Sequence, residues 1–169
     1  MQPPTGQPPP GKRWHTREDS GIRLDASLRW WHDDEPILHP KIIELFNASL
    51  VLDDAGRYQL RIGNDWCFVQ VADAAYEVRT VDVTPDERVS IRLSDRTAEA
   101  LDPTSLLVEP DGVLACRVKQ GRAKARFSRD AQYQLGQLLE QAPDGGLLLC
   151  AGERRFPVAL SLDALAASV

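Results

Sequence analysis

Long apolar runs are absent from this sequence. No stretch approaches the roughly 18 apolar residues that a helix needs to cross a bilayer, and the N-terminus has no charged segment followed by an apolar one. The 169 residues carry a net charge of −5 at pH 7, so their overall field repels nucleic acid and anionic membranes. We therefore expect a cytoplasmic protein without a nucleic-acid or membrane partner.

Cysteine is scarce as well. The three cysteines, Cys67, Cys116 and Cys150, are odd in number, widely spaced and form no CxxC pair. This pattern fits neither a disulfide framework nor a zinc site. Because each cysteine lies in an apolar run, we expect free, buried thiols in a reducing compartment.

The common signatures of catalysis are also missing. No glycine-rich loop follows a strand and opens a helix, which argues against a nucleotide P-loop. The serines form no GxSxG motif, and spacing alone places no pair of carboxylates for acid/base chemistry. The sequence therefore predicts no catalytic residue and no cofactor.

The sequence does contain enough apolar residues for a core, and it contains a weak internal repeat. Hydrophobic residues make up 43% of the chain, enough to bury a core within one folded unit. A strand, a helix, an Asp/Gly turn and a hairpin follow one another over residues 37–66 and again over 126–156. We predict an α+β protein in which two related strand-helix-hairpin motifs pack into one compact unit.

Composition divides the chain into four segments. Residues 1–20 are rich in proline and charge, cannot bury enough apolar surface to offset ordering, and are predicted to be a disordered tail. Residues 21–75 form the first motif and residues 76–112 the central strands. Residues 113–169 form the second motif, which ends in a short C-terminal helix.

Local patterns place the main elements within these segments. Pro40 is suited to the first position of a helix that reaches Leu50, and Ser128 is an N-cap for a helix over 128–141. Residues 58–62 alternate apolar and polar side chains and turn into a second strand at 66–71. Residues 97–101 are predicted to add a helical turn. Further strands are predicted at 28–32, 77–83, 88–93, 113–118, 123–127 and 147–150.

Two groups of side chains are candidates for binding. His32 and His39 flank the acidic turn 33–35 and offer metal ligands, but a solvated turn collects the same residues, so we predict no metal site there. The third histidine, His15, lies in the predicted tail. The second group is a basic strand face formed by Arg122, Lys124 and Arg126, with Arg117 and Lys119 beside it. That face either binds an anionic partner or is an ordinary solvated surface.

Five short stretches of the sequence together make up one recognisable pattern. They are Trp31–Phe46, Val71–Tyr76, Val118–Gly121, the helix residues Arg129, Tyr133 and Leu135, and Ala151–Gly152 with Phe156. Over residues 22–160 this pattern resembles a bacterial family catalogued as domain of unknown function 1285, DUF1285, although Asp34, Ala72 and Ala75 depart from it. The resemblance implies a small α+β protein with repeated structural motifs, no established enzymatic activity and a link to signal transduction.

From these observations we predict a noncatalytic binding module for a small anionic ligand or a protein partner. A charge or hydroxyl that faces the other half can orient a ligand, and the candidates are Asp73, Tyr76, Arg117, Arg126, Arg129 and Tyr133. Ion pairs within the chain, with Asp73 tying an arginine between the halves, explain the same residues. The competing hypotheses for function are a small enzyme with a site between the halves and a structural homo-oligomer.

Overall fold

Strands predominate in the structure, a computed structural model that describes residue 10 and residues 13–161. The first half contains β1 (Ile22–Leu24), β2 (Trp30–His32), β3 (Glu35–Pro36), α1 (Pro40–Ser49), β4 (Leu50–Leu52), β5 (Tyr58–Ile62), β6 (Asp65–Phe68) and β7 (Gln70–Val71). The middle contains β8 (Tyr76–Val83), β9 (Val89–Leu93), β10 (Ala98–Ala100), a 3-10 turn (Pro103–Ser105) and β11 (Leu107–Val108). The second half contains β12 (Leu114–Val118), β13 (Ala123–Phe127), α2 (Arg129–Gly136), β14 (Leu139–Gln141), β15 (Leu147–Ala151) and β16 (Arg154–Leu160). The protein is α+β, as predicted.

The strands of the described residues pair into three sheets. Four strands form a sheet in the order β3-β2-β1-β7, and three form the meander β4-β5-β6. The largest sheet runs β10-β9-β8-β13-β12-β11-β16-β15-β14. Within it β8 and β13 pair in parallel, with Tyr76 opposite Ala125. This parallel pair joins the middle of the chain to its second half.

Both predicted helices form, but the second is shorter than its pattern suggested. Pro40 occupies the first turn of α1 as expected, and the Ser128 hydroxyl caps α2 by accepting from the Ala131 amide at 3.2 Å. Helix α2 ends at Gly136, since glycine has low helix propensity, and Leu139 pairs instead with Leu149. The helical turn predicted at 97–101 is wrong, because Ala98–Ala100 pair with β9 as a strand.

One continuous core runs through all three parts of the chain. It extends from Leu24 and Trp30 to Leu149 and Val158. The Trp30 indole is 1% exposed, meets the Phe46 ring edge-on at 5.3 Å between centroids, and donates to Asn47 Oδ1 at 2.8 Å. This large buried side chain of the first half is therefore both packed and hydrogen-bonded.

The three cysteines are free, as predicted. Only Cys116 is fully buried, whereas Cys67 and Cys150 are half-buried. Burial, with smaller contributions from the nearby charges of Glu99 and Asp102, raises the pKa of Cys116 to about 12. Its thiol is therefore protonated at neutral pH and is a poor nucleophile.

Residues 13–20, which composition assigns to a disordered tail, are hydrogen-bonded to the rest of the protein. The Phe68 amide donates to the Arg17 carbonyl at 2.7 Å, and the buried Ser20 hydroxyl donates to the Phe68 carbonyl at 2.6 Å. Residues 13–20 thus lie against the end of β6 instead of belonging to a free tail, because backbone hydrogen bonding offsets their low apolar content. Most of the predicted tail and nearly all of the predicted C-terminal helix lie outside the described residues.

The two helices lie in different surroundings. Helix α1 packs against β5 and has no fully buried side chain. Helix α2 packs against β8 and β13 and buries Ala131 and Leu135 completely. The internal repeat therefore stays a prediction. Neither of these helices is long and apolar enough to cross a membrane.

Candidate ligand-binding site

A cleft of about 600 Å³ lies between β4 and the largest sheet, and we call it the interhalf cleft. One wall is apolar and consists of Leu50–Leu52. The other wall is polar and carries both signs of charge, from Asp95, Glu99, Lys119 and Arg122. The buried Tyr76 also lines the cleft. Volumes of this size are typical of sites for small molecules.

The polar wall is built on an unusual turn between β12 and β13. Lys119, Gln120 and Gly121 have φ values of 54°, 61° and 78°, three left-handed residues in succession. Only the glycine adopts this conformation without steric cost, so Lys119 and Gln120 store strain. Strained backbone persists only where neighbouring contacts hold it in place.

Lys119 makes the contacts that hold the turn. Its Nζ donates to Asp95 Oδ2 at 2.6 Å and to Thr97 Oγ1 at 2.7 Å, and its backbone amide donates to Glu99 Oε1 at 3.1 Å. The Lys119 ammonium is therefore already neutralised by the chain and is not free for a ligand. These contacts tie the β12–β13 turn to the β9–β10 turn and to β10.

Tyr76 lies at the cleft with its side chain almost completely buried. The Lys119 Nζ lies 5.0 Å from the ring centroid, a cation–π contact. Burial, followed by the negative charge of Asp95, raises the pKa of Tyr76 far above its ordinary value. The phenol therefore stays neutral at physiological pH and can act only as a hydrogen-bonding or packing group.

Arg117 and Arg122 differ from the other cations of the basic strand face. Among the described residues, neither guanidinium lies within salt-bridge distance of a carboxylate, although Arg122 donates to the Asp53 carbonyl. Both charges act on the half-buried Tyr58, where burial raises the pKa of the phenol and the two arginines oppose that rise. Arg122 thus lines the interhalf cleft without a carboxylate partner among the described residues, and Arg117 acts with it on Tyr58.

The remaining predicted site residues on this sheet are engaged in ion pairs. Lys124 Nζ lies 2.8 Å from Asp73 Oδ2 and 2.8 Å from Glu109 Oε1. Arg126 pairs with Asp111 and also donates to the Ala26 carbonyl at 3.0 Å. Ion pairs within the chain therefore account for these residues, with a lysine instead of the expected arginine as the partner of Asp73.

Arg129 and Tyr133 lie elsewhere. They line a shallow depression of about 400 Å³ on α2, with Phe127 and Gln132, and the Tyr133 side chain is 74% exposed. This depression is at the opposite end of β12 and β13 from the interhalf cleft. The structure therefore does not bring the six predicted residues into one site: Tyr76 lines the interhalf cleft, Arg129 and Tyr133 lie on α2, and Asp73 and Arg126 are held in ion pairs.

Sequence reasoning missed the acidic side of the cleft. Asp95 and Thr97 belong to the β9–β10 turn and Glu99 to β10, and nothing in their local pattern links them to residue 119. The pairing of β8 with both β9 and β13 brings them together. The one local signal was the basic turn 118–121, which the family resemblance had singled out without its acidic partners.

No family model and no curated protein matches this chain, but two solved structures do. One is a DUF1285 family protein from Silicibacter pomeroyi DSS-3, with a TM-score of 0.58, 19% identity, and coverage of 86% of this chain and 82% of the other. The other is a DUF1285 family protein from Shewanella baltica OS155, with a TM-score of 0.50, 19% identity, and coverage of 70% and 91%. The chain has the DUF1285 fold. The resemblance read from its sequence is thereby supported at the level of structure.

Proposed function

We propose that this DUF1285-like protein is a noncatalytic binding module that takes a small anionic ligand in the interhalf cleft. The observation that carries the proposal is that Arg122 lines a cleft of about 600 Å³ and that its charge and that of Arg117 act on the same phenol, Tyr58. Their positive charge has no carboxylate partner among the described residues. A bound anion would supply the missing negative charge through charge-assisted hydrogen bonds.

The apolar wall narrows the chemical class of the ligand further. Val51 and Leu52, which are only partly buried, offer a surface for carbon or ring atoms, opposite a wall on which Arg122 supplies positive charge. Sites for small molecules commonly combine such an apolar lining with a few placed polar groups. We propose a ligand with an acidic group at one end and an apolar or ring portion at the other.

Binding fits the cleft better than catalysis does. The described residues that line it include neither histidine nor cysteine. The pKa of Tyr76 moves away from neutrality, and Asp95 is held by Lys119. General acid/base catalysis works best with a group whose pKa lies near the working pH. An enzyme built on Asp95 and Glu99 is the competing hypothesis.

The family resemblance extends this proposal. We propose that the chain belongs to the DUF1285 family and that its two strand-helix-hairpin segments descend from one repeated unit. We also propose that ligand binding serves signal transduction in the cytoplasm. The order of elements in the two halves supports the repeat. The different surroundings of α1 and α2 indicate that the copies have diverged in packing.

A ligand screen with paired variants tests the cleft. Thermal shifts and calorimetry are measured with inorganic phosphate, a nucleoside monophosphate, a sugar phosphate and an acidic peptide. Arg122→Gln should abolish the stabilisation, whereas Arg129→Gln, which removes the same charge from α2, should leave it unchanged. If Arg129→Gln abolishes it instead, the site is on α2. If no probe stabilises the protein, or if the stabilisation survives Arg122→Gln, the anionic-ligand proposal fails.

The homo-oligomer hypothesis has its own test. Among the described residues, β10 and β14 are the outer strands of the largest sheet, and unpaired edges are the usual route to strand pairing between copies. Light scattering after size exclusion gives the mass directly. A dimer that persists on dilution would favour the structural role, and a monomer would favour the binding module.

A further inference from the structure

Three potential metal ligands converge at the start of the described chain. His15 belongs to the segment that runs along β6, His32 ends β2, and Asp33 follows it in the turn to β3. One ligand atom from each lies within 4.8 Å of the others. The His15 Nε2 and Asp33 Oδ2 atoms are 3.1 Å apart, close to the separation of about 3.3 Å expected for two ligands on one tetrahedral zinc.

The backbone holds this cluster in a confined geometry. Asp33 has a φ of 51°, and its amide donates to the Gly21 carbonyl at 2.8 Å. A Cβ atom on Gly21 would lie 2.5 Å from Asp33 Oδ1 and 2.7 Å from His15 Cε1. Only glycine fits here, because any larger residue would push the aspartate and the histidine apart.

A neighbouring arginine orients the carboxylate. Arg13 Nε donates to Asp33 Oδ1 at 2.8 Å, and its Nη1 donates to Asp19 at 2.9 Å. Oδ1 is therefore occupied, and Oδ2 is the oxygen that faces His15. Outer partners of this kind fix the orientation of ligating carboxylates in metal sites.

The two imidazoles complete the set. Their ring centroids are 4.7 Å apart, and hydrogen bonds from Phe68 to Arg17 and from Ser20 to Phe68 hold the segment of His15 beside β6. Two imidazoles and one carboxylate suit borderline divalent metals such as zinc, and not calcium or magnesium, which prefer oxygen.

We propose that His15, His32 and Asp33 form a binding site for a divalent transition metal of the zinc class, which fastens the N-terminal segment to the β2–β3 turn. The site lies at the rim of a separate hollow of about 600 Å³ that Asp33 and Gly21 help to line. It is independent of the interhalf cleft, so either proposal can fail without the other.

Calorimetry with zinc chloride tests the site. The full chain, free of any histidine tag and stripped with a chelator, should bind one zinc per molecule. His15→Ala and His32→Ala should each weaken binding by about tenfold or more. His39→Ala is the matched control, because His39 is exposed and outside the cluster, and it should leave the affinity unchanged.

Two further measurements keep the result interpretable. Far-UV circular dichroism checks that each variant is folded, and the visible spectrum of bound cobalt reports nitrogen and oxygen ligands without thiolate. Absence of saturable zinc binding by the wild type would overturn the proposal. Binding that survives both histidine changes, or a cobalt spectrum dominated by thiolate, would overturn it as well.

Discussion

Removal of the Lys124 ammonium should destabilise the protein markedly. This cation lies 2.8 Å from carboxylate oxygens of both Asp73 and Glu109. The side chains of Lys124 and Glu109 are only 19% and 16% exposed, whereas that of Asp73 is 36% exposed. In Lys124→Met the stem keeps its packing, but two carboxylates are left close together without a cation.

The magnitude follows from this intermediate burial. Exposed ion pairs contribute about 0–1 kcal/mol, and loss of one partner from a fully buried pair costs about 3–5 kcal/mol. With two pairs that are partly shielded from water, we expect Lys124→Met to lower the free energy of unfolding by about 2 kcal/mol. For a chain of this length that corresponds to a fall in Tm of about 4–8 °C.

The pH dependence has a definite sign. Burial alone would lower the pKa of Lys124, but hydrogen bonds from its ammonium to Asp73 and Glu109, together with their charges, outweigh it and raise the pKa above the ordinary value of 10.5. A raised pKa stabilises the folded state below the unfolded value and ceases to do so as the pH passes the folded value. The difference between wild type and variant should therefore be constant near neutrality and, on the alkaline side, begin to shrink above about pH 10.5.

Urea denaturation followed by circular dichroism measures the effect, and a triple variant provides the control. Lys124→Met combined with Asp73→Asn and Glu109→Gln removes all three charges, so it should recover most of the lost stability. A single variant within about 0.5 kcal/mol of wild type would refute the reasoning. So would a triple variant that is no more stable than the single one.

Three other changes have expected effects. Glu44→Gln breaks a pair in which Arg79 donates two hydrogen bonds to the carboxylate and so lowers the pKa of Glu44. Urea titrations should show that the free energy of unfolding falls by about 1 kcal/mol at pH 7. This loss should disappear as the pH falls below 4.5, the ordinary pKa of a glutamate. Leu135→Ala empties a fully buried site and should cost about 3 kcal/mol in the same assay, whereas Tyr133→Ala on the exposed face of α2 should cost little. Ser128→Ala removes the N-cap of α2 and should lower stability by about 1 kcal/mol, as a fall in Tm by calorimetry.

Local chemistry made part of this fold predictable. The hairpin of β5 and β6 appears where alternating side chains and the turn at 63–65 placed it, and β13 has the predicted bounds. Pro40 and Ser128 each mark a helix start. Such signals depend on a few neighbouring residues, so the sequence carries them directly.

Long-range pairing was not predictable in the same way. Leu139 has the spacing of a helical residue, yet its pairing with Leu149 outweighs that preference. Val83 and Leu160 lie in strands but are more than half exposed, so apolar character alone did not identify the core. Pairing partners chosen across the chain decide these cases, and a single sequence does not reveal them.

The candidate site was predictable only in its parts. The basic strand face was visible from the alternation of Arg122, Lys124 and Arg126, but their acidic partners Asp73 and Asp111 come from distant turns. Those partners decide which cations are neutralised and which are free to bind. His15 shows the same limit, because its proximity to His32 depends on hydrogen bonds between segment 13–20 and Phe68.

The parallel pairing of β8 with β13 has a consequence for synthesis of the protein. As the chain leaves the ribosome, β8 emerges long before β13, and the whole middle segment separates the two strands. Until β13 arrives, the edge of β8 at Tyr76 and Val78 has no partner strand on the side that β13 later occupies. Both side chains are buried in the finished fold. We expect folding to wait for the second half to be translated, which makes truncated or stalled chains substrates for chaperones.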